Sequence, residues 1–485
     1  MTEIRKELVN TVNNKAYALT DPNIQNTLDK KFEFIKKTVL ADKSLTKNEK
    51  SYVIKELNKN FDYYKLLYNK GTKRICENCH DECLATLFCE HCVRNYLKSN
   101  FSNWTSENSN IDNLIQQCQM ETLILNRIVE WIPYNNLQNI NYLTKGGFSE
   151  IYTADWTDGR YNKWDSKEKQ LKRLGSQSVI LKKLENVESA NRSWFEESRT
   201  HLSISNKYSL VVGCFGLTKN PSNGNYMLVM RRLDINLREY LQQNHNKLKW
   251  KERIQIIKNI TSSLFEIHQE NVIHRDLHSG NILYGTISQL FKLSDFGFCG
   301  PADKPLNSIY GNLPYIAPEV ICGKETSFAS DIYSIGMLMW EISSGQPPFI
   351  NFENDCELAL KIINGMRPKV VPGTPIEYKE LMEQCWDADP EKRPDIDTLN
   401  YKIQEINRLN HQNELNKNKS IIKKLIEKTR LSKQKANTIS KINEINNFEI
   451  NSTSSRLFTS KVYQFKNLPE PKNATEEEQE GIYYY

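Results

Sequence analysis

Apolar residues recur at roughly helical spacing within the first 70 residues, on a polar background that is rich in helix formers. The residues that follow this spacing are Phe32, Ile35, Leu40, Val53, Leu57, Phe61 and Leu66. Intervals of three to four residues place side chains on one face of a helix. The pattern predicts a helical hairpin region over residues 1–70, turning near Ser44–Asn48, that serves internal packing or the docking of a partner.

A different pattern, short apolar strands followed by long helices, extends from about residue 137 to about residue 409. One of its helices is marked by steps of three and four residues along Ile254, Ile257, Thr261, Leu264 and His268. These steps are typical of an amphipathic helix. The region is therefore predicted to be one large domain that contains both strands and helices.

Residues 410–485 lack either pattern. Between His411 and Asn446 there are nine Lys and Arg residues against three Glu residues, and the chain then turns acidic around Glu476–Glu480. Blocks of like charge with few apolar residues cannot bury enough surface to fold. This stretch is predicted to be a basic and then acidic low-complexity tail, largely disordered.

The overall charge argues against a nucleic-acid partner, because 65 Lys and Arg residues nearly balance 59 Asp and Glu residues. The first ten residues lack the apolar run of a signal peptide, and no 18-residue apolar segment occurs. We therefore expect a cytoplasmic protein without a membrane segment, and a nuclear location stays open. In a reducing compartment the 11 cysteines are expected to be free thiols or metal ligands.

Two CxxC pairs lie close together between the helical hairpin and the large domain. They are Cys76 with Cys79 and Cys89 with Cys92. Four thiolates on two tight turns suit tetrahedral Zn²⁺, so residues 71–131 are predicted to be a structural zinc module whose connecting helix spans Ile111–Trp131. Cys83, His80 and His91 are alternative ligands, and buried free thiols are the other interpretation. Such a module would dock a protein partner or brace the following domain.

The start of the large domain carries residue types that handle phosphate groups. Adjacent Gly146 and Gly147 allow a backbone turn to approach a polyphosphate, although an ordinary hairpin turn has the same signature. The apolar strand at 179–184 then carries Lys182, with Lys183 as the alternative. Glu197 follows in a helical stretch. A strand lysine paired with a helix glutamate can hold two phosphates of a nucleotide.

The segment Val272–Leu283 reads VIHRDLHSGNIL, and LSDFGF follows a short distance later. Phosphoryl transfer requires an acceptor hydroxyl to be oriented and charge to be neutralised. Asp276 can accept and orient the hydroxyl, whereas Asn281 and Asp295 supply the oxygen ligands that Mg²⁺ prefers.

The sequence HRDLxxxN, then DFG, then Ala317-Pro318-Glu319, resembles the signature set of the eukaryotic protein kinase superfamily in order and spacing. The run from Cys385 to Pro394 is most similar to the tyrosine-kinase-like group, whose members mostly phosphorylate Ser and Thr. The resemblance implies an α+β bilobal fold over residues 137–409, with a small antiparallel-sheet N-lobe and a helical C-lobe. It also implies that Arg393 pairs with Glu319.

The resemblance further implies roles for individual residues. The implied catalytic set is Asp276, Lys182, Glu197, Asn281 and Arg275. The residues implied to contact ATP are Leu143, Thr144, Lys145, Gly146, Gly147, Phe148, Ser149, Glu150, Ile151, Lys182, Met230, Leu233 and Leu283. Ser308 and Tyr310 are candidate phosphorylation sites in the activation segment, where a phosphate could order the loop through Arg275. The alternative is a segment that is ordered without phosphate.

Some positions depart from the family pattern. Thr144 and Ser149 stand where glycines are usual, and Ile180 stands where Ala is usual. His278 replaces the lysine that Ser/Thr kinases usually have two residues after the catalytic Asp, and Asn312 replaces a threonine. The last two changes leave the type of acceptor hydroxyl open.

The core catalytic set is complete, and this favours an active enzyme. We therefore expect a protein kinase that transfers the γ-phosphoryl group of ATP to Ser or Thr of protein substrates, in signal transduction. Mg²⁺ is its expected cofactor, and Zn²⁺ is expected in the cysteine module, where a protein partner could dock. A pseudokinase scaffold is the alternative.

Overall fold

The computed structural model describes residues 4–21, 23–145, 149–185, 194–297, 299–301, 309–412, 460–465, 468–475 and 477–479. The expectations for Gly146, Gly147, Phe148 and Ser308 lie outside the described residues. Within these ranges, none of the helices combines the length and the apolar character that a membrane crossing requires.

Three helices begin the chain and pack together through their apolar faces. Their bounds are α1 Lys6–Ala18, α2 Leu28–Ala41 and α3 Lys47–Tyr68. The turn before α3 ends in a reciprocal cap: Thr46 Oγ1 accepts from the backbone of Glu49, and the Glu49 carboxylate accepts from the backbone of Thr46. This cap satisfies donors that a helix start leaves open. The predicted hairpin, formed by α2 and α3, is thus part of a three-helix unit.

The cysteine-rich region follows as a small hairpin and two helices. The elements are β1 Arg74–Ile75, β2 Glu82–Cys83, α4 Glu90–Ser99 and α5 Ser109–Met120. The connecting stretch was expected to be helical through Trp131, but the helix ends at Met120. The backbone then becomes extended, because Glu130 and Trp131 pair as a strand with the next domain.

A six-stranded sheet forms the core of the small lobe. Its strands are β3 Glu130–Trp131, β4 Leu137–Lys145, β5 Glu150–Trp156, β8 Gln177–Lys183, β9 Cys214–Lys219 and β10 Tyr226–Arg231. The order is β3-β9-β10-β8-β5-β4; only β3 and β9 run parallel, and the other pairs are antiparallel. Helix α6, Trp194–Lys207, packs against β9. A second hairpin, β6 Tyr161–Asp165 with β7 Gln170–Arg173, is inserted between β5 and β8.

The large lobe is mainly helical and contains the largest apolar core. Its helices are α7 Leu237–Asn244, α8 Trp250–His268, α9 Pro318–Ile321, α10 Phe328–Ser344, α11 Cys356–Ile363, α12 Ile376–Cys385 and α13 over 396–412. Its short strands are β11 Ile235–Asn236, β12 Val272–Ile273, β13 Ile282–Gly285, β14 Leu290–Leu293, β15 Gly300–Pro301 and β16 Ile309–Gly311. Helix α10 is buried along nearly its whole length, which explains its apolar composition.

Arg127 links the cysteine-rich region to the small lobe through hydrogen bonds. Its buried guanidinium donates hydrogen bonds of 2.6–3.0 Å to the carbonyl oxygens of Ser205, Tyr208, Ser209 and Val211. A charged donor held by several carbonyls is strongly oriented. The segment before β3 is therefore fixed to the region between α6 and β9.

Part of the tail departs from the disorder expected for residues 410–485. Residues 460–465 and 468–475, here named the tail segment, pack against the large lobe, and Lys461–Tyr463 forms strand β17 beside β16. Tyr463 is buried in the core of the large lobe. The prediction failed for this segment because composition measures only the apolar residues of the tail itself. Here Tyr463, Phe465 and Leu468 pack with the apolar core of the large lobe.

Candidate active site

Lys182 on β8 forms an ion pair with Glu197 on α6. The distance from Nζ to Oε1 is 2.8 Å, and the two side chains are 5% and 0% exposed. Lys183 lies on the other side of the strand and pairs with Glu150 and Glu185 at 3.4 and 2.8 Å. Because side chains alternate across a strand, only one of the two lysines can reach Glu197. The geometry selects Lys182 between the two alternatives.

Asp295 joins this pair from the other side of the cleft. Its Oδ1 lies 2.5 Å from Nζ of Lys182, and it also accepts from the backbone of Gly297 at 3.1 Å. The next residue, Phe296, is fully buried, and its backbone N–H donates to Nε2 of His201 on α6 at 3.2 Å. Helix α6 therefore contacts the DFG sequence directly, and both elements position Lys182.

Asp276 lies in the loop after β12 and is buried. The side-chain amide of Asn281 donates to its backbone carbonyl at 3.0 Å and to its carboxylate at 3.2 Å. The loop itself is held by Asp331 at the start of α10, which accepts from the backbone of His274 and Arg275 at 2.8 and 2.9 Å. Arg275 has a positive φ of 68°, so these two bonds stabilise a backbone conformation that is uncommon outside glycine.

The electrostatics of the cleft favour a bound cation. Burial, with the neighbouring Asp295 carboxylate as the second cause, raises the pKa of Asp276 to about 7. Two carboxylates that repel each other in a buried cleft would be stabilised by a nearby cation. Asn281 and Asp295 offer oxygen donors of the type that Mg²⁺ prefers, so the residues fit this metal.

His278 contacts the same carboxylate, with Nε2 3.8 Å from Oδ1 of Asp276. Burial, followed by the charge of Arg238, lowers the pKa of His278 to about 3, so the ring is neutral at pH 7. Its Nδ1 accepts from the backbone N–H of Gly280 at 3.1 Å. This hydrogen bond assigns the proton of the neutral ring to Nε2. His278 is thus a hydrogen-bond donor beside Asp276 and carries no charge.

The residues expected to surround the adenine differ in their burial and packing. Met230 is buried, and Leu233 and Leu283 pack against its apolar cluster. Leu143, Thr144 and Lys145 are exposed on β4, Ile151 is half-buried on β5, and Ser149 is buried. Three of the expected residues thus share one apolar cluster, whereas those of β4 are exposed.

The activation segment is described only in part. Tyr310, expected as a phosphorylation site, is 7% exposed within β16, and it hydrogen-bonds Asp276. In this conformation its hydroxyl is not accessible to a second kinase molecule. Arg275, expected to receive a phosphate, donates from Nε to the hydroxyl of Thr326 at 3.0 Å. Asn312 is buried behind the loop.

Sequence reasoning missed Ser460, which the tail segment brings to the catalytic loop. Its hydroxyl donates to Oδ1 of Asp276 at 2.8 Å and lies 3.1 Å from Nε2 of His278. No sequence signal distinguishes it, because it lies 184 residues from Asp276 and other serines, including Ser454 and Ser455, lie close to it in the chain.

The four cysteines of the CxxC pairs converge on one point. Their sulfur atoms all lie within 4.8 Å of one another, with Cys76 and Cys92 at 3.7 Å and Cys79 and Cys89 at 3.6 Å. A tetrahedron with metal–sulfur distances of about 2.3 Å has sulfur–sulfur edges of about 3.8 Å. Cys83, His80 and His91 do not belong to this group. The donor set fits one tetrahedral metal ion.

Known proteins share the large domain. The family model described as protein tyrosine and serine/threonine kinase matches residues 137–403. The dual specificity protein kinase zakA of Dictyostelium discoideum is 31% identical over an alignment of 189 residues, and the match covers 35% of this chain and 24% of that protein. The dual serine/threonine and tyrosine protein kinase of Apis mellifera is 36% identical over 157 residues, 30% of this chain and 16% of that protein.

A longer match is to the "Probable serine/threonine-protein kinase pats1" of Dictyostelium discoideum, which is 26% identical over an alignment of 292 residues. This match covers 56% of this chain and 8% of that protein. The matched segments span a quarter or less of these three relatives. The family match, in contrast, covers more than half of this chain and includes every core residue of the cleft. The chain therefore belongs to the protein tyrosine and serine/threonine kinase family.

Proposed function

We propose that the chain is an active, ATP-dependent protein kinase that phosphorylates Ser or Thr residues of protein substrates in intracellular signalling. The observation that carries the proposal is the assembled cleft: Lys182 contacts both Glu197 and Asp295, while Asp276 and Asn281 face them from the large lobe. A pseudokinase scaffold usually lacks one of these core residues, whereas all of them are present here.

Each residue has a role that follows from its position. Lys182, held by Glu197, would bind the α- and β-phosphates, and Asp276 would orient the acceptor hydroxyl and take its proton. Asn281 and Asp295 would hold Mg²⁺, which supplies charge neutralisation on the phosphates when it is bound. Leu143, Ile151 and Leu283 would enclose the adenine, with Met230 at the back and Leu233 at the hinge.

The glycine pair Gly146-Gly147, with Phe148, would cover the phosphates. Thr144 and Ser149, in place of the usual glycines, are small enough for such a turn. Turnover in the range of about 1–100 s⁻¹ is typical of this chemistry.

The type of acceptor is the finer part of the proposal. By their names, the relatives from Dictyostelium discoideum and Apis mellifera include a serine/threonine kinase and kinases of dual specificity. The neutral His278 donates a hydrogen bond where Ser/Thr kinases usually have a charged lysine. A short Ser or Thr hydroxyl can reach both His278 and Asp276, as Ser460 does in this structure.

We also propose that the CxxC pairs bind structural Zn²⁺ and that the module braces the small lobe. Trp164 on β6 packs against the cysteine cluster, and it also contacts Tyr96 on α4 with ring centroids 5.9 Å apart. A closed site with four protein ligands leaves no open position for catalysis. The inserted hairpin β6–β7 is therefore the part of the kinase domain that the module would support.

The test is phosphate transfer by the purified full chain. Wild type and Asp276→Asn would be incubated with Mg²⁺, labelled ATP and a generic protein substrate, and the products mapped by mass spectrometry. Phosphoserine or phosphothreonine made by wild type alone is the expected result. Phosphotyrosine would overturn the acceptor assignment. Binding of ATP without any phosphate transfer would contradict the proposed enzyme activity and favour a pseudokinase scaffold.

A further inference from the structure

Ser460 occupies the position of an acceptor hydroxyl. It is 8% exposed, and its hydroxyl donates to Oδ1 of Asp276 at 2.8 Å. A candidate acceptor must lie within hydrogen-bond distance of the group that takes its proton. Among the described residues, Ser460 is the serine that the hydrogen bonds place on this carboxylate.

The hydrogen bonds leave the oxygen of Ser460 ready to act as a nucleophile. Its single hydrogen points to Asp276, and the Nε2–H of His278 donates to one of its two lone pairs at 3.1 Å. A serine oxygen has two lone pairs, so one remains unused. The protein itself therefore orients the hydroxyl in the way that phosphoryl transfer requires.

Strand pairing fixes which residue reaches Asp276. Strand β17 runs antiparallel to β16, with Lys461 opposite Gly311, Val462 opposite Tyr310, and Tyr463 opposite Ile309. Addition of an extended segment to a strand is a common mode of peptide recognition. A shift of one residue would turn each side chain to the opposite face, so this register places Ser460, and not Lys461, at the carboxylate.

Further contacts anchor the tail segment beyond the strand. Tyr463 is 7% exposed and stacks on Phe465, with ring centroids 5.4 Å apart. Asn473 makes two side-chain hydrogen bonds to the large lobe, from Nδ2 to Asp387 at 2.8 Å and to Oδ1 from the backbone of Ala388 at 2.9 Å. The backbone of Lys472 donates to the carbonyl of Ile363 at 3.0 Å. The segment is thus bound specifically along its described length.

We propose that Ser460 is a phosphorylation site that the chain modifies in its own active site, and that the tail segment binds there as an intramolecular substrate. In the step, the Ser460 oxygen forms a bond to the γ-phosphorus of ATP. The bond between that phosphorus and the β,γ-bridging oxygen breaks, its electron pair leaves with ADP, and the proton of the hydroxyl passes to Asp276. The inference rests on the proposed kinase function and names a substrate for it.

Phosphorylation would also release the segment. A phosphoserine carries a charge of about −1.5 to −2 at pH 7 and would lie beside the carboxylates of Asp276 and Asp295. Like charges in a buried site repel strongly. The same segment covers the acceptor site while it is bound, so other protein substrates gain access after the reaction.

The experiment follows phosphate at Ser460 and in an added protein at the same time. The full chain, freed of phosphate by a phosphatase that is then removed, is mixed with Mg²⁺, ATP and myelin basic protein, and peptides are quantified by mass spectrometry over time. We expect Ser460 to be modified first, with a rate constant that does not change over a hundredfold range of chain concentration. Transfer to the added protein should follow after a lag.

Variants of the anchors separate binding of the segment from catalysis. Tyr463→Ala removes a buried ring and should slow phosphorylation of Ser460 by about tenfold or more while shortening the lag. Asn473→Ala removes two surface hydrogen bonds and leaves the core intact. It should also slow phosphorylation of Ser460, by roughly three- to tenfold, and shorten the lag. Tyr401→Ala, at an exposed tyrosine of α13, is the matched control and should change neither rate.

The possible outcomes distinguish the two proposals. Phosphate in the added protein with none on Ser460 would overturn this inference and leave the kinase function standing. A rate constant at Ser460 that rises with chain concentration would overturn the intramolecular reaction. No phosphate in either place, with ATP bound, would overturn the kinase function and this inference with it.

Discussion

The guanidinium of Arg393 forms a two-pronged ion pair with the carboxylate of Glu319, with both nitrogen–oxygen distances at 2.7 Å. Both side chains are buried, and Arg393 also donates to the carbonyl oxygens of Asp387 and Ala329. Parallel hydrogen bonds of this kind fix geometry as well as charge. The pair joins the end of the activation segment to the loop after α12, and the resemblance to kinases had predicted it.

Arg393→Ala is expected to destabilise the large lobe by about 3–5 kcal/mol, because it leaves the Glu319 carboxylate buried without its partner. The free energy of unfolding from a denaturant titration measures this loss. Lys392→Ala is the matched control, since Lys392 is an exposed neighbour and should change stability by less than about 0.5 kcal/mol. Equal stability of the two variants would contradict the structural role of the pair.

Lys182→Met should reduce phosphate transfer roughly 100-fold or more, because it removes the cation that Glu197 and Asp295 hold at the phosphates. The adjacent Lys183→Met is the control, since Lys183 pairs with Glu150 and Glu185 and does not contact Glu197. Transfer rates and circular dichroism spectra of both variants would be compared. A larger loss in Lys183→Met would mean that the strand register is different from the one described.

Gly216→Ala should detach strand β3 from the sheet. Gly216 has a φ of +145°, and an added Cβ would lie 1.7 Å from the carbonyl oxygen of Glu130. Gly224 has a φ of +73° with open space around it, so Gly224→Ala carries the conformational cost, about 1–3 kcal/mol, without the clash. We expect Gly216→Ala to lose more stability and to increase amide exchange in β3. A similar loss of stability and similar amide exchange in β3 for the two variants would rule out close packing at Gly216.

Removal of the metal tests the cysteine module. Elemental mass spectrometry of the purified chain is expected to find about one zinc ion per molecule. Cys89→Ser should abolish this zinc, lower the melting temperature and increase amide exchange in the hairpin β6–β7, because Trp164 packs on the cluster. Cys356→Ser, at an exposed cysteine, serves as the control. Full-length chain that is stable and free of zinc would refute the metal site.

The residue types that the structure brings together in the cleft could be identified from the sequence. Asp276 and Asn281 lie five residues apart in one loop, and such short spacing is preserved in any fold that forms the loop. Lys182 and Glu197 required the family pattern, because the strand alone left Lys183 as an alternative. The structure selected between the two lysines, since strand alternation and the position of α6 allow only Lys182 to reach Glu197.

Other features depended on contacts between distant segments. The helix expected over Ile111–Trp131 ends at Met120, because its last residues pair with β9, and local propensity carries no information about that strand. From its position in the sequence, Tyr310 is a candidate phosphorylation site of the activation segment. In the structure it is buried within β16, which pairs with β17.

The sequence by itself determined the family, the residue types of the cleft and the likeness of the CxxC pairs to a metal site, because each depends on the short-range order of residues along the chain. Only the tertiary structure decided that Ser460 meets Asp276. Composition and length predict whether a segment can fold alone, and the tail segment is too short to form a core of its own. Its ordering comes from surface and strand edges that the kinase domain provides, and the register of that pairing selects the serine.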